Sequence, residues 1–272
     1  MIELTLKRQP TVPLEAEVLS PDVMECLSEA EIRGLTVYHG KRQLPLGEFF
    51  EVRGEKSSQL KIAGSLEKVR WIGRAMTKGS IEVHGSVGMH LGAYMKSGLI
   101  QIHGDASDWV GAEMRNGTIR ISGNAGGQIG GSYRGGLSGM RNGFISVGGS
   151  AGLEVGLRMR RGTIVIGETV RDFAGLQMKG GTIVLLNGAE LRTGAWMNRG
   201  TILSLKDFEM MPTFQPAGKL DSSFINIFAT HLAQHQITIP RLDEAGHYAR
   251  FTGDQAVPGK GEILVWRPTE AD

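Results

Sequence analysis

The chain repeats one four-residue phrase, Met-x-x-Gly, at a nearly fixed interval, and that interval limits the folds open to it. The copies are Met76-Thr77-Lys78-Gly79, Met95-Lys96-Ser97-Gly98, Met114-Arg115-Asn116-Gly117, Met140-Arg141-Asn142-Gly143, Met159-Arg160-Arg161-Gly162, Met178-Lys179-Gly180-Gly181 and Met197-Asn198-Arg199-Gly200. The steps between methionines are 19, 19, 26, 19, 19 and 19. A unit this short cannot bury a core alone. It can coil once and stack on the next copy.

Each unit opens with an alternating apolar pair: Ile81 and Val83, Ile100 and Ile102, Ile119 and Ile121, Ile145 and Val147, Ile164 and Ile166, Ile183 and Leu185. Period-two spacing reads as a strand with one face inward. A second phrase, Gly-x-x-Gly-x-x-x-Gly, follows as Gly85, Gly88 and Gly92, as Gly123, Gly126 and Gly130, and as Gly149, Gly152 and Gly156. Gly111, Gly175 and Gly194 keep only its last position. Glycines at such intervals suit tight corners. The expected fold is mostly β: a parallel β-helix of about seven coils over residues 57–205, with strands stacked about 4.8 Å apart. The step of 26 is one period plus seven residues, which reads as a loop pushed out near residues 132–138. No unit holds a window of ten residues free of glycine with period 3.6, which argues against a helical repeat, and 19 is not a multiple of six, which argues against a left-handed hexapeptide helix.

The flanks differ in character. Ile2 to Leu6 alternates as a strand, and Ser28-Glu29-Ala30-Glu31 is a capping-box pattern that predicts a short helix ending at Gly34. Strands are expected at Leu35–Tyr38 and Phe49–Val52, with a turn at 41–43. Residues 1–56 read as a small α+β cap, which a solenoid needs to cover its end. Residues 206–272 read as a C-terminal extension. It holds an apolar arm with Met210, Met211 and Phe214, then an amphipathic helix over about 222–235 with Phe224, Ile227, Phe228 and Leu232 at helical spacing. Strands at 248–251 and 263–266 complete it.

Composition narrows the function classes. Lys+Arg 30 against Asp+Glu 28 gives a net charge of +2, so no charge bias points to nucleic acid or a membrane. Cys26 is the one cysteine, so the chain has no internal disulfide and no cysteine-based metal or iron–sulfur motif. No secretory signal or long apolar run is visible, and the expected location is cytoplasmic. No Gly-x-Ser-x-Gly elbow, P-loop or His-Glu-x-x-His motif occurs. The coil acids form no stacked pair of the kind a carbohydrate-cleaving β-helix needs.

The Gly-x-x-Gly-x-x-x-Gly repeat resembles the C-terminal β-helix domain of the glutamate synthase large subunit. Within that superfamily the chain is more similar to the family formed by the C subunits of formylmethanofuran dehydrogenase and of the bacterial formyltransferase/hydrolase complex. Pro13-Leu14-Glu15-Ala16, Pro21-Asp22-Val23, His39-Gly40 and Leu46-Gly47-Glu48-Phe49-Phe50 resemble the start of those subunits. The resemblance implies a right-handed coil and a subunit without catalytic residues of its own. It implies partners that do the chemistry: an amidohydrolase-like subunit carrying metal, a formyltransferase, and a molybdopterin-oxidoreductase-like neighbour. It further implies a complex that moves a formyl group from tetrahydromethanopterin to a furan coenzyme and releases formate. The alternatives are the same scaffold in a molybdenum- or tungsten-dependent dehydrogenase, and a stand-alone β-helix enzyme or glutamate-synthase-like module.

Three sets of side chains invite a functional reading. The residue after each methionine gives a column of cations, Lys96, Arg115, Arg141, Arg160 and Lys179, with no equally regular acidic column beside it. They are either a solvated turn or a ridge that docks an acidic partner surface or the anionic coenzyme tail. Met210, Met211 and Phe214 form a candidate arm for gripping another subunit. Among histidines, His231 and His235 have the spacing of metal ligands on a helix but no third ligand, so they read as surface or packing groups. His84 and His103 are 19 apart and fall side by side at a corner, where they read as polar groups beside glycine, with a pair that binds a metal or an anion as the alternative.

Overall fold

Strict periodicity should give strands that pair in identical register, and it does. In the computed structural model, which describes residues 1–242 and 244–269, every repeat contributes one strand. They are β8 Ser80–His84, β9 Leu99–Ile102, β10 Thr118–Ile121, β11 Phe144–Val147, β12 Thr163–Ile166, β13 Lys179–Leu185 and β14 Arg199–Ser204. Before them lie β1 Ile2–Leu6, β2 Leu14–Glu15, β3 Thr36–His39, β4 Arg42–Pro45, β5 Phe50–Arg53, β6 Gln59–Ala63 and β7 Val69–Arg70, with helices α1 Pro21–Met24 and α2 Glu29–Gly34. After them come β15 Gln215–Lys219, helix α3 Phe224–Ala233, β16 Gly246–Gly253 and β17 Gly261–Pro268. Ile100, Ile119, Ile145, Ile164, Ile183 and Ile202 stand opposite one another down one parallel ladder. The longer step between β10 and β11 leaves that register intact.

The chain is mostly β, with a 13-stranded sheet in which a parallel run from β1 through β6 and β8–β14 ends at β17. A second ladder of single parallel bridges joins Val87, Ala106, Ala125, Ala151, Val170 and Ala189. Two ladders on successive units make the β-helix-like form. Inside, the ladder isoleucines and Met76 to Met197 are buried. The corner glycines make room for the isoleucines: a Cβ on Gly92 would stand 2.5 Å from Ile119 Cδ1, and one on Gly111 would stand 2.5 Å from Ile145 Cδ1. Both glycines have positive φ, +61° and +59°, so they serve backbone and packing at once.

The flanking segments join the same sheet. β1 lies parallel to β6 and antiparallel to β5, and β17 lies parallel to β14 with β16 and β15 outside it. Both ends of the parallel run are thus covered by antiparallel strands. The capping box forms at Ser28 and Glu31, ahead of α2. The turn expected at 41–43 is shorter. Gly40 takes φ +63° and β4 begins at Arg42, which pairs with His39.

Helix α3 packs on the outer face of the sheet, where outward positions change from polar to apolar along the stack. Glu82, Gln101, Arg120 and Ser146 give way to Val165, Val184 and Leu203. Ile225, Phe228, Ala229 and Leu232 meet Phe144, Val165, Val184 and Leu203 there. The stripe expected from the sequence is rotated: Phe224 and Ile227 are 46% and 69% exposed. Among the described residues no helix is long and apolar enough to cross a membrane.

Candidate functional site

The Met-x-x-Gly turn sets one face of the molecule. Because each methionine is buried, the residue after it turns outward. The N–H of Arg115 donates to the Met95 carbonyl at 2.7 Å, that of Arg141 to Met114 at 2.7 Å, and that of Arg160 to Met140 at 2.8 Å. Lys96 and Lys179 bond likewise to Met76 and Met159. These bonds hold the five cations in one column, one rung apart. Lys96, Arg115, Arg141 and Arg160 are exposed, and Lys179 is half-buried with its Nζ donating to the Leu137 carbonyl at 2.8 Å. Of the ion pairs among the described residues, none uses any of the five. Like charges at rung spacing repel unless an acid meets them, so the ridge suits an anionic surface.

The first copy of the turn shows such a meeting inside the chain. Thr77 donates its N–H at 2.9 Å and its hydroxyl to Asp22, and Lys78 pairs with Glu25. Burial alone would raise the Asp22 carboxyl, but the bonds from Thr77 and Ser20 hold it below its usual range.

The insertion at 132–138 lies down over the neighbouring face. Trp71 and His90 stack there on adjacent rungs with ring centroids 4.1 Å apart, and Trp109 follows on the next rung, all three with φ +67°. Tyr133, from the insertion, stacks on Trp109 with ring centroids 4.9 Å apart, and its hydroxyl is 2.9 Å from His90 Nδ1. Burial lowers the His90 imidazole and raises the Tyr133 phenol, so a neutral ring meets a protonated phenol there. Glu113 accepts the Tyr133 N–H at 3.2 Å, and Arg158 donates to the Gly136 carbonyl at 2.6 Å. Beside this shelf lies a recess of about 370 Å³ lined by Trp109, Gln128, Ser132, Tyr133, Glu154 and Arg158 among others. Its polar groups largely satisfy one another: Gln128 donates to Glu154 at 3.0 Å and Arg158 to Gln177 at 2.7 Å.

The remaining candidates separate. Phe214 is buried against the far end of the coil, where a Cβ on Gly194 would stand 2.9 Å from its ring. That side chain therefore packs within its own chain, while Met210 and Met211 are half-buried on the same core. His235 stacks flat on Phe144 at 3.7 Å and faces Arg120 Nη2 at 3.4 Å, with burial lowering its imidazole. No carboxylate or thiol joins it and His231 in a metal-sized group among the described residues. His84 and His103 do come together, with their rings 4.6 Å apart and Glu82 between them. Sequence reading missed the shelf, although Trp71, His90 and Trp109 recur at 19 residues, the same signal that marked the methionines.

A parallel β-solenoid with glycine corners places the chain among β-helix-like domains. The GXGXG motif family matches residues 58–230. The chain is 43% identical over 97 residues to the C subunit of tungsten-containing formylmethanofuran dehydrogenase 2 of Methanothermobacter thermautotrophicus, covering 34% of this chain and 36% of that protein. It is 39% identical over 90 residues to the C subunit of molybdenum-containing formylmethanofuran dehydrogenase 1 of Methanosarcina barkeri, covering 31% and 30%. The aligned part thus spans about a third of these curated relatives. A chain in the crystal structure of the formyltransferase/hydrolase complex (FhcABCD) from Methylorubrum extorquens with methylofuran superimposes with a TM-score of 0.90 at 33% identity, covering 98% of this chain and 100% of that one. This chain belongs to the GXGXG motif family, and within it to the family of formylmethanofuran dehydrogenase C subunits.

Proposed function

We propose that this chain is a non-catalytic structural subunit of a formyltransferase/hydrolase complex in one-carbon metabolism. The observation that carries the reading is the likeness over nearly the whole chain to a chain of such a complex. That likeness includes the N-terminal strands and the α3 region, which lie outside a repeat-only match.

On this reading the complex transfers a formyl group from tetrahydromethanopterin to a furan coenzyme and hydrolyses it to formate. The metal and the chemistry reside in partner chains, namely an amidohydrolase-like subunit and a formyltransferase, beside a molybdopterin-oxidoreductase-like neighbour. This chain supplies a stiff right-handed β-helix of about seven coils over 57–205, flanked by 1–56 and 206–272, in the cytoplasm. Its Lys96–Lys179 ridge docks an acidic partner surface or lies along the anionic coenzyme tail, with Met210 and Met211 as apolar contacts.

A second reading places the same scaffold in a molybdenum- or tungsten-containing formylmethanofuran dehydrogenase. It is favoured by the 43% identity to such a relative over the 97 residues they share. Affinity purification of the tagged chain from its own cell, with co-eluting chains identified by mass, separates the two. Amidohydrolase-like and formyltransferase-like subunits without iron–sulfur proteins support the first reading. A molybdopterin enzyme with iron–sulfur partners supports the second, and elution of the chain alone overturns both.

A further inference from the structure

We propose that Glu82, His84 and His103 form a binding site for a divalent transition-metal ion of the zinc class on the outer face of the sheet. Two rules of strand geometry build the triad. Alternation places Glu82 and His84 together on the outward face of β8, while Ile81 and Val83 point to the core. The 19-residue period then sets His103 beside His84. β8 and β9 pair with Val83 opposite Ile102, and the His103 N–H donates to the Val83 carbonyl at 2.9 Å.

The donor atoms converge. The two imidazoles stack with centroids 4.6 Å apart and planes 20° apart. His84 Nε2 and His103 Nε2 lie 3.1 Å and 2.8 Å from the same oxygen, Oε1 of Glu82. One ligand atom from each residue falls within 4.8 Å of the others. Two imidazoles and a carboxylate are a known zinc ligand set that leaves a fourth position open. Tetrahedral angles with bonds of about 2.1 Å put donors about 3.4 Å apart. The nitrogen–oxygen separations here need to open by only a few tenths of an ångström, and rotation of the two exposed rings closes the remaining gap.

The site is accessible. The side chains of Glu82, His84 and His103 are 44%, 42% and 34% exposed, and the apolar cluster that α3 forms with the sheet begins at Phe144. Lys61 and Gln101 flank Glu82 on the same face. Gln101 Nε2 is 3.5 Å from His103 Nε2, within reach of a water on the open position. A bound ion would tie two adjacent rungs together and offer its fourth position to water or to a donor from another chain. This site shares no residue with the cation ridge.

The test uses the purified full-length chain, stripped with chelator and freed of any affinity tag, titrated with zinc chloride by calorimetry. Cobalt(II) serves as a visible-absorption probe of coordination. The expected result is one ion per chain, with affinity falling by more than about tenfold in His103→Ala and in Glu82→Gln. His231→Ala, outside the triad, should bind like the parent. Circular dichroism confirms that each variant is folded, and the isosteric Glu82→Gln keeps the test decisive if a histidine variant is not. Absence of stoichiometric binding to the parent chain, or undiminished binding in His84→Ala/His103→Ala, overturns the proposal.

Discussion

The methyl group of Met95 occupies the space that a side chain on Gly117 would need. A Cβ on Gly117 would stand 2.8 Å from Met95 Cε, and the backbone there has φ +107°. The same relation joins Met76 to Gly98 at 2.5 Å, Met114 to Gly143 at 2.9 Å and Met178 to Gly200 at 2.7 Å. The two fixed residues of the repeated phrase are therefore halves of one contact, made between adjacent rungs. A methionine without its glycine has no room, and a glycine without its methionine leaves a void.

This contact predicts a specific non-additivity. Met95→Ala removes a fully buried side chain and should cost about 2–5 kcal/mol. Gly117→Ala should also destabilise, through positive φ and the clash with Met95 Cε. In the double variant the missing methyl makes room for the new Cβ, so the combined loss should be smaller than the sum. Urea unfolding of the three variants measures this. Strict additivity would show that the clash contributes nothing and that φ strain alone explains the glycine.

The cation ridge predicts an effect on assembly without one on folding. Arg141 and Arg160 are exposed and make no ion pair among the described residues. Reversing both to glutamate should change the stability of the isolated chain by no more than about 0.5 kcal/mol. Co-purification of partner chains should weaken, most strongly at low salt, because exposed charges are screened as salt rises. A pull-down across a salt series reads the effect, with Arg141→Lys/Arg160→Lys as the charge-preserving control. Unchanged assembly removes the docking role.

The aromatic shelf predicts an order of losses at Tyr133. Tyr133→Phe keeps the ring on Trp109 and loses only the bond to His90, for about 0.5–1.5 kcal/mol. Tyr133→Ala also loses the ring contacts and should cost about 2 kcal/mol or more. Thermal unfolding gives the order, and tryptophan emission should redshift only in the alanine variant as Trp109 is uncovered. Equal losses would mean that the ring does not hold the insertion down.

What could be read from the sequence is what stacking forces to repeat. Ile119 opposite Ile145, the buried methionines and the glycine corners all follow from the period, because an in-register stack puts the same residue in the same surroundings on every rung. Features that occur once follow from tertiary contacts instead. The insertion could be counted from the spacing, but its lie depends on Tyr133 finding Trp109 and His90. Helix α3 carries two overlapping apolar stripes, and the sheet selects Ile225, Phe228, Ala229 and Leu232 over Ile227. Phe214 reads as a loose apolar arm until the open end of the coil at Gly194 is in view.

Acidification should weaken the fold through two histidines. Burial, then the charge of Arg70, pushes His90 below the ordinary value of 6.5. Burial, then His231 and Arg120, does the same to His235. The unfolded chain therefore takes up protons at these sites at a higher pH than the folded chain. Stability is fully present above about 6.5 and is lost as pH falls from there toward the depressed native values. The carboxylates with lowered values, Asp22 and Glu82, act at lower pH, because their ordinary values are 3.8 and 4.5. The urea midpoint should accordingly fall between about pH 7.5 and pH 5.5. The slope should flatten in His90→Gln/His235→Gln, even though that variant starts from lower stability. A double variant that keeps the full slope would assign the pH dependence to other groups.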